Sequence, residues 1–240
     1  MRKLIRSVAL VFAVMLLAAA ASARTESGAA LYAQRCSSCH GSGGQGSQSG
    51  PPLIGTSAVY VHFMLDTGRM PAAAPGVNEM HKPADFTSAQ ITAIVNYVSS
   101  FSETTNRTLP IVSGGNPVRG RTLFAENCAH CHGAVGNGAS VGADDVAPSL
   151  MHATEMQVAE AVRAGPGIMP RFGTDVLSDR DVDDIARYVN EIQSGSGDAR
   201  QLNAGGVSIA HVGPVAEGFI AWLLGLGTLL LFVRRIGTTN

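Results

Sequence analysis

The sequence predicts an all-α protein: two small helical domains in tandem, followed by one C-terminal transmembrane helix. Three observations carry this. Apolar residues recur at helical spacing in both halves, and nothing in either half alternates like a strand. A glycine followed by an apolar–aromatic pair stands ahead of a paired-cysteine motif twice, so the chain repeats itself. Near the C-terminus, Val215 to Val233 is apolar but for Glu217 and Thr228. That is close to the ~20 residues a span needs.

The repeated motif carries the chemistry. Cys36-Ser37-Ser38-Cys39-His40 and Cys128-Ala129-His130-Cys131-His132 both read Cys-x-x-Cys-His, and they use all 4 cysteines. This is the attachment signature of c-type haem. Two cysteines three positions apart on a helical turn each form a thioether to a haem vinyl group. The next residue, His40 or His132, then sits under the iron as the proximal nitrogen ligand. The rival chemistries fit worse. A thioredoxin-like redox motif needs a strand and a βαβ context. A four-cysteine zinc site needs its two pairs close together, and these are separated by most of a domain. Structural disulfides suit an exported chain, but a Cys-x-x-Cys pair on a helix makes a poor bridge. Two covalently bound haem c are therefore expected, on Cys36, Cys39, Cys128 and Cys131.

The N-terminus, Met1-Arg2-Lys3-Leu4-Ile5-Arg6, precedes an apolar run from Val8 to Ala21 and closes with Ala21-Ser22-Ala23. That is the anatomy of a secretory signal peptide over residues 1–23. A retained anchor helix is the alternative, and either way the chain behind it is exported. No run of basic residues supports nucleic-acid binding.

The domains are expected at 24–101 and 117–194. Gly28-Ala29-Ala30-Leu31-Tyr32 opens the first and Gly120-Arg121-Thr122-Leu123-Phe124 the second. After each histidine comes a glycine-rich loop, then Pro51-Pro52-Leu53-Ile54 or Ala147-Pro148-Ser149-Leu150, read as rigid turns able to cover a haem edge. A middle helix follows, with Thr56 or Thr154 as N-cap, ending at Gly68 or Gly165. Each half then offers a methionine before a proline, Met70-Pro71 and Met169-Pro170. A thioether on a loop held by proline suits a distal haem ligand. Met64 and Met80 compete with Met70, and His62 or His81 is the bis-histidine alternative. Capping boxes at Thr87 and an acidic start after Ser178 open the closing helices, whose apolar faces are Ile91, Ile94, Val95, Val98 and Val182, Ile185, Ala186, Val189. Residues 102–116 and 195–213 are polar and turn-rich and read as linkers. The span at 214–235 ends in Arg234-Arg235, which the positive-inside rule keeps in the cytoplasm, leaving the haem domains extracytoplasmic.

Each half resembles a class I cytochrome c domain, in the order helix, Cys-x-x-Cys-His, glycine loop, Pro-Leu, helix, Met-Pro, helix. The resemblance covers about residues 25–195. With Gly213-Pro214-Val215-Ala216-Glu217-Gly218 opening the span, the whole order is similar to the dihaem cytochrome c subunit of actinobacterial-type cytochrome bc complexes. The resemblance implies an electron-transfer subunit of a quinol–cytochrome c reductase. Its partners would be a cytochrome b subunit, a Rieske iron–sulfur protein that delivers electrons from menaquinol, and an aa3-type cytochrome c oxidase in a supercomplex. It also implies a cell-membrane protein, single-pass if the leader is removed and two-pass if it stays. A free-standing membrane-anchored dihaem carrier uses the same chemistry with another partner; a dihaem peroxidase needs one displaceable iron ligand.

Charge is uneven. Residues 117–200 hold seven basic and twelve acidic side chains against five of each in 24–113. The surplus acids, Asp144, Asp145, Asp179, Asp181, Asp183 and Asp184, serve either helix starts and a solvated face or the docking of a basic partner.

Overall fold

The computed structural model describes residues 26–75, 81–142, 145–194 and 214–237. The chain divides into two compact units between Leu109 and Pro110. The first holds α1 (Gly28–Arg35), α2 (Ser37–His40), α3 (Ala58–Asp66) and α4 (Ser88–Ser99). The second holds α5 (Pro117–Asn127), α6 (Ala129–His132), β1 (Ala139–Gly142), β2 (Asp145–Ala147), α7 (Glu155–Ala164), α8 (Asp179–Ser194) and α9 (Pro214–Gly237). The signal segment, the 195–213 stretch and Met80 lie outside the described residues.

In each unit the opening helix crosses the closing one at a glycine. A Cβ on Gly28 would stand 1.9 Å from the Ala93 carbonyl oxygen, and one on Gly120 1.9 Å from that of Asp184. Backbone meets backbone there, and no side chain fits between. The aromatics one turn on complete the contact. Tyr32 lies 5.4 Å from Tyr97 and 5.2 Å from Phe101, centroid to centroid, and Phe124 lies 5.3 Å from Tyr188. These tilted and edge-on pairs add to area burial. Around them Leu31, Ile91, Ile94, Val95 and Val98 form one core, and Val158, Val162, Val182, Ile185 and Val189 the other. The apolar faces of both closing helices are thus buried as their spacing requires.

Helix starts follow local chemistry. Thr87 and Thr154 make capping boxes with Gln90 and Gln157. The cap of α3 is Ser57 rather than Thr56. The Thr56 N–H is taken by the Leu53 carbonyl at 3.1 Å, so that residue closes the preceding turn and the helix begins one position later. The expected linker 102–116 is drawn into both units. Asn106 accepts the Ala58 N–H and Leu109 packs on the first core, whereas Val112 packs on the second.

Most of the acids on α8 have structural partners. Asp184 is 2% exposed. It accepts from the Asn116 N–H and pairs with Arg119, while Asp183 accepts from the Ser113 hydroxyl. Asp179 pairs with Arg163. Asp181 accepts from the Ser178 hydroxyl and backbone N–H and pairs with Arg119. Each of these four therefore has a local partner near the start of α8.

One feature departs from an all-helical reading. β1 and β2 form a short antiparallel hairpin in the second glycine loop, with Ala139 opposite Ala147. Pro148 follows His132 by five residues more than Pro51 follows His40, and this extra chain doubles back on itself. The C-terminal α9 has a 20-residue stretch, Gly218–Gly237, apolar and long enough to cross a membrane. Trp222, Leu224, Leu230, Leu231 and Phe232 are all exposed. An apolar helix of this kind fits a membrane anchor.

Two stability predictions follow from this packing. Gly28→Ala and Gly120→Ala each force helices apart and should destabilise their own unit by about 1–3 kcal/mol or more, read by denaturant unfolding of the purified protein. The hydrogen bond from the Ser178 hydroxyl, its backbone N–H and Arg119 hold the Asp181 carboxyl below its ordinary range, against a smaller opposing effect of burial. A depressed folded pKa gives stability that is complete above roughly pH 4 and lost as pH falls. Thermal unfolding against pH should therefore show a shallower acid-side loss for Asp181→Asn.

Candidate functional site

Each Cys-x-x-Cys-His motif forms one helical turn set at a bend. Cys36 has φ −124° and ψ −36°, and Cys128 φ −122° and ψ −35°. These backbones break the longer helix and start the short one. The His40 N–H donates to the Cys36 carbonyl at 3.0 Å, and the His132 N–H to that of Cys128 at 2.9 Å. The turn thus brings both cysteines and the histidine of each motif onto a single local scaffold.

The loop after the histidine returns to it. Gly46 donates to the His40 carbonyl and Gly138 to the His132 carbonyl, both at 2.8 Å. Both glycines have φ +83°, and a Cβ would lie 2.7 Å from the Pro52 nitrogen or 2.6 Å from the Ala147 oxygen. Only glycine combines that backbone with that approach. The loop then delivers a proline carbonyl to the imidazole. His40 Nδ1 lies 2.8 Å from the Pro51 oxygen, and His132 Nδ1 lies 3.0 Å from the Pro148 oxygen.

That bond decides the tautomer. A carbonyl only accepts, so Nδ1 carries the proton and Nε2 keeps its lone pair. A fixed ring with a basic, unprotonated Nε2 is what an iron ligand requires. The donor set in both units therefore fits c-type haem. The thiols agree: all four cysteines are free of disulfides. Burial pushes Cys36 up to about 11, against a pull from Arg35, and Cys128 up to about 12. Redox Cys-x-x-Cys pairs have depressed thiols, the opposite direction, and each motif here follows a helix rather than the strand of a βαβ unit. Among the described residues no group of three or more His, Cys, Asp or Glu side chains gathers to hold a metal ion.

Met70 and Met169 both pack against the core of their unit, as do Cys36 and Cys128. The helix before each ends in a left-handed glycine, Gly68 or Gly165, both at φ +63°. The Met70 N–H donates to the Met64 carbonyl at 2.9 Å and the Met169 N–H to Pro166 at 3.1 Å. Arg69 lies over the Phe63 ring, 5.0 Å from its centroid. Of the histidine rivals, His81 is exposed and His62 is half-buried, as Met70 is.

Two features were not read from the sequence. Pro51 and Pro148 act through their carbonyls on the imidazoles. Tyr32, buried behind the first motif, donates its hydroxyl to the Gly41 carbonyl at 2.7 Å. The second unit has Phe124 there and lacks that bond.

Comparison with known proteins yields consistent matches. The family model described as cytochrome c oxidase, cbb3-type, subunit III fits twice, at residues 23–98 and 115–189. The cytochrome bc1 complex cytochrome c subunit of Mycobacterium tuberculosis is 35% identical over 233 residues, spanning 91% of this chain and 79% of that protein. The Mycobacterium leprae protein of the same name is 33% identical over 225 residues, spanning 90% and 76%. The cbb3-type cytochrome c oxidase subunit CcoP of Azospirillum sp. is 30% identical over 192 residues, spanning 70% of this chain and 62% of that protein.

Tyr32→Phe should lower the stability of the first unit by about 1 kcal/mol, the worth of an ordinary hydrogen bond, without disturbing the second. Denaturant titration followed at the haem absorption of each unit checks this. Equal loss in both units would contradict it.

Proposed function

This chain belongs to the family of cytochrome bc1 complex cytochrome c subunits, and on that premise we propose that it relays single electrons from a Rieske iron–sulfur protein to an aa3-type cytochrome c oxidase. It is a dihaem electron-transfer protein with two covalently bound haem c. The reading places it in a quinol–cytochrome c reductase beside a cytochrome b subunit. There it replaces a soluble carrier between menaquinol oxidation and the oxidase.

The haems supply reversible one-electron chemistry at iron. The chain supplies their positions. Cys36 and Cys39, and Cys128 and Cys131, provide the thioether sulfurs. His40 and His132 present Nε2 from rings oriented by proline carbonyls. Met70 and Met169 provide the soft distal donors, which favour the reduced iron and raise the potential. A haem held by these donors would serve electron transfer rather than peroxide chemistry. An apolar core lies behind each motif. Residues 24–101 and 117–194 form the two haem domains, and α9 anchors them in the cell membrane. Arg234 and Arg235 stay cytoplasmic, so the haem domains face outward.

The observation that carries the reading is the extent of likeness: it runs through both repeats over about nine-tenths of the chain. The CcoP likeness favours a second reading, in which the same two-haem module feeds an oxidase as its own subunit, but it spans less of both chains.

Mild detergent extraction of the native membrane followed by affinity capture of this chain tests the choice. Cytochrome b and Rieske subunits, with haem a in the oxidase fraction, are expected. Recovery with a cbb3-type oxidase core and no Rieske protein would reverse it.

A further inference from the structure

One side chain makes two bonds across the loop that carries Met169. Arg163, in the last turn of α7, is largely buried, its side chain 13% exposed. One guanidinium nitrogen donates to the Phe172 carbonyl at 3.0 Å and to the Leu177 carbonyl at 2.7 Å. The other donates to Asp179 at 2.6 Å. Phe172 and Leu177 lie three and eight residues beyond Met169. The departing limb turns at the left-handed Gly165, and one backbone bond also ties the return limb, the Phe172 N–H on the Val162 carbonyl at 2.9 Å. The guanidinium therefore straps the return limb of the methionine loop to the helix it left.

The first unit is built otherwise. Two residues before its own left-handed glycine it has Asp66 where the second unit has Arg163. Its loop is tied by the Lys82 N–H on the Thr67 carbonyl at 3.1 Å and by Lys82 Nζ on the Pro71 carbonyl at 3.5 Å. Among the described residues, the arginine bridge is seen in the second unit, and the first uses a lysine instead.

We infer that Arg163 is the positioning residue that keeps the Met169 sulfur on the second haem, by bridging the Phe172 and Leu177 carbonyls. The inference rests on Met169 being the distal ligand. A planar guanidinium donates in two directions from one fixed group. Charge-assisted bonds to carbonyls are stronger than neutral ones. The α5–α8 crossing at Gly120 does not involve Arg163, so losing the strap loosens the loop before it unfolds the unit. A thioether is a neutral soft donor without a charge to hold it to iron. Its occupancy then depends on how closed the loop stays.

Carbon monoxide binding to the reduced full-length dihaem protein tests this, alongside the weak far-red absorption of sulfur-ligated ferric haem. Met169→Ala is the reference for an opened second haem. Arg163→Ala should raise carbon monoxide affinity at one haem per chain by at least about tenfold and lower the far-red band toward half. Arg163→Lys, which keeps the charge, should recover part of both signals. Asp179→Asn, which leaves both carbonyl bonds, should behave as the parent. If Arg163→Ala does not accumulate, Arg163→Gln carries the same expectation. Parental behaviour of Arg163→Ala or Arg163→Gln, or equal opening by Asp179→Asn, would overturn the inference. Failure of Met169→Ala to open a haem would instead sink the ligand assignment on which it rests.

Discussion

A close approach of backbones stands in each unit at a place that holds none of the candidate ligands. It is the crossing of α1 on α4 and of α5 on α8, where Gly28 and Gly120 let carbonyl oxygens come within reach of a missing Cβ. The first helix of each pair runs directly into the Cys-x-x-Cys-His turn. The second closes the core on which Cys36 and Met70, or Cys128 and Met169, both pack. Fixing that crossing therefore fixes the Cys-x-x-Cys-His turn and the methionine loop to one body. A site built this way changes little in shape when its charge changes, which suits electron transfer better than substrate chemistry.

The imidazoles depend on a second constraint. Each ring is oriented by a backbone carbonyl rather than a side chain, so no titratable partner can reset its tautomer. The same geometry appears twice, at 2.8 and 3.0 Å, although the connecting loop differs in length by five residues. The extra residues are absorbed as a hairpin outside the bond, and the proline returns to the same place. Conservation of that bond across an insertion within one molecule argues that the ring orientation is what the loop exists to set.

Much of this was legible in the sequence because it was local or repeated. The haem motifs, the capping boxes at Thr87 and Thr154 and the apolar faces of the closing helices each follow from spacing within a few residues. The internal repeat doubled the signal and flagged Gly28 and Gly120. What it left unread depends on contacts across the fold. The helix crossing at those glycines, the proline carbonyls, the Tyr32–Gly41 bond and the Arg163 bridge link residues that spacing alone does not bring together. The hairpin lacked the alternating pattern that marks a strand, since Ser140 and Gly142 are separated by a register break. The acids on α8 read as a charge surplus until their partners, Arg119, Arg163, Ser113 and Asn116, were placed beside them.

The account stands or falls on porphyrin being joined covalently at both motifs. The intact mass of the mature protein, purified from its own membrane and denatured, measures this directly. Two haem masses should remain on the chain, one on the peptide holding Cys36 and Cys39 and one on that holding Cys128 and Cys131. A chain that sheds its colour on denaturation, or whose cysteines are recovered as zinc ligands or disulfides, would contradict it.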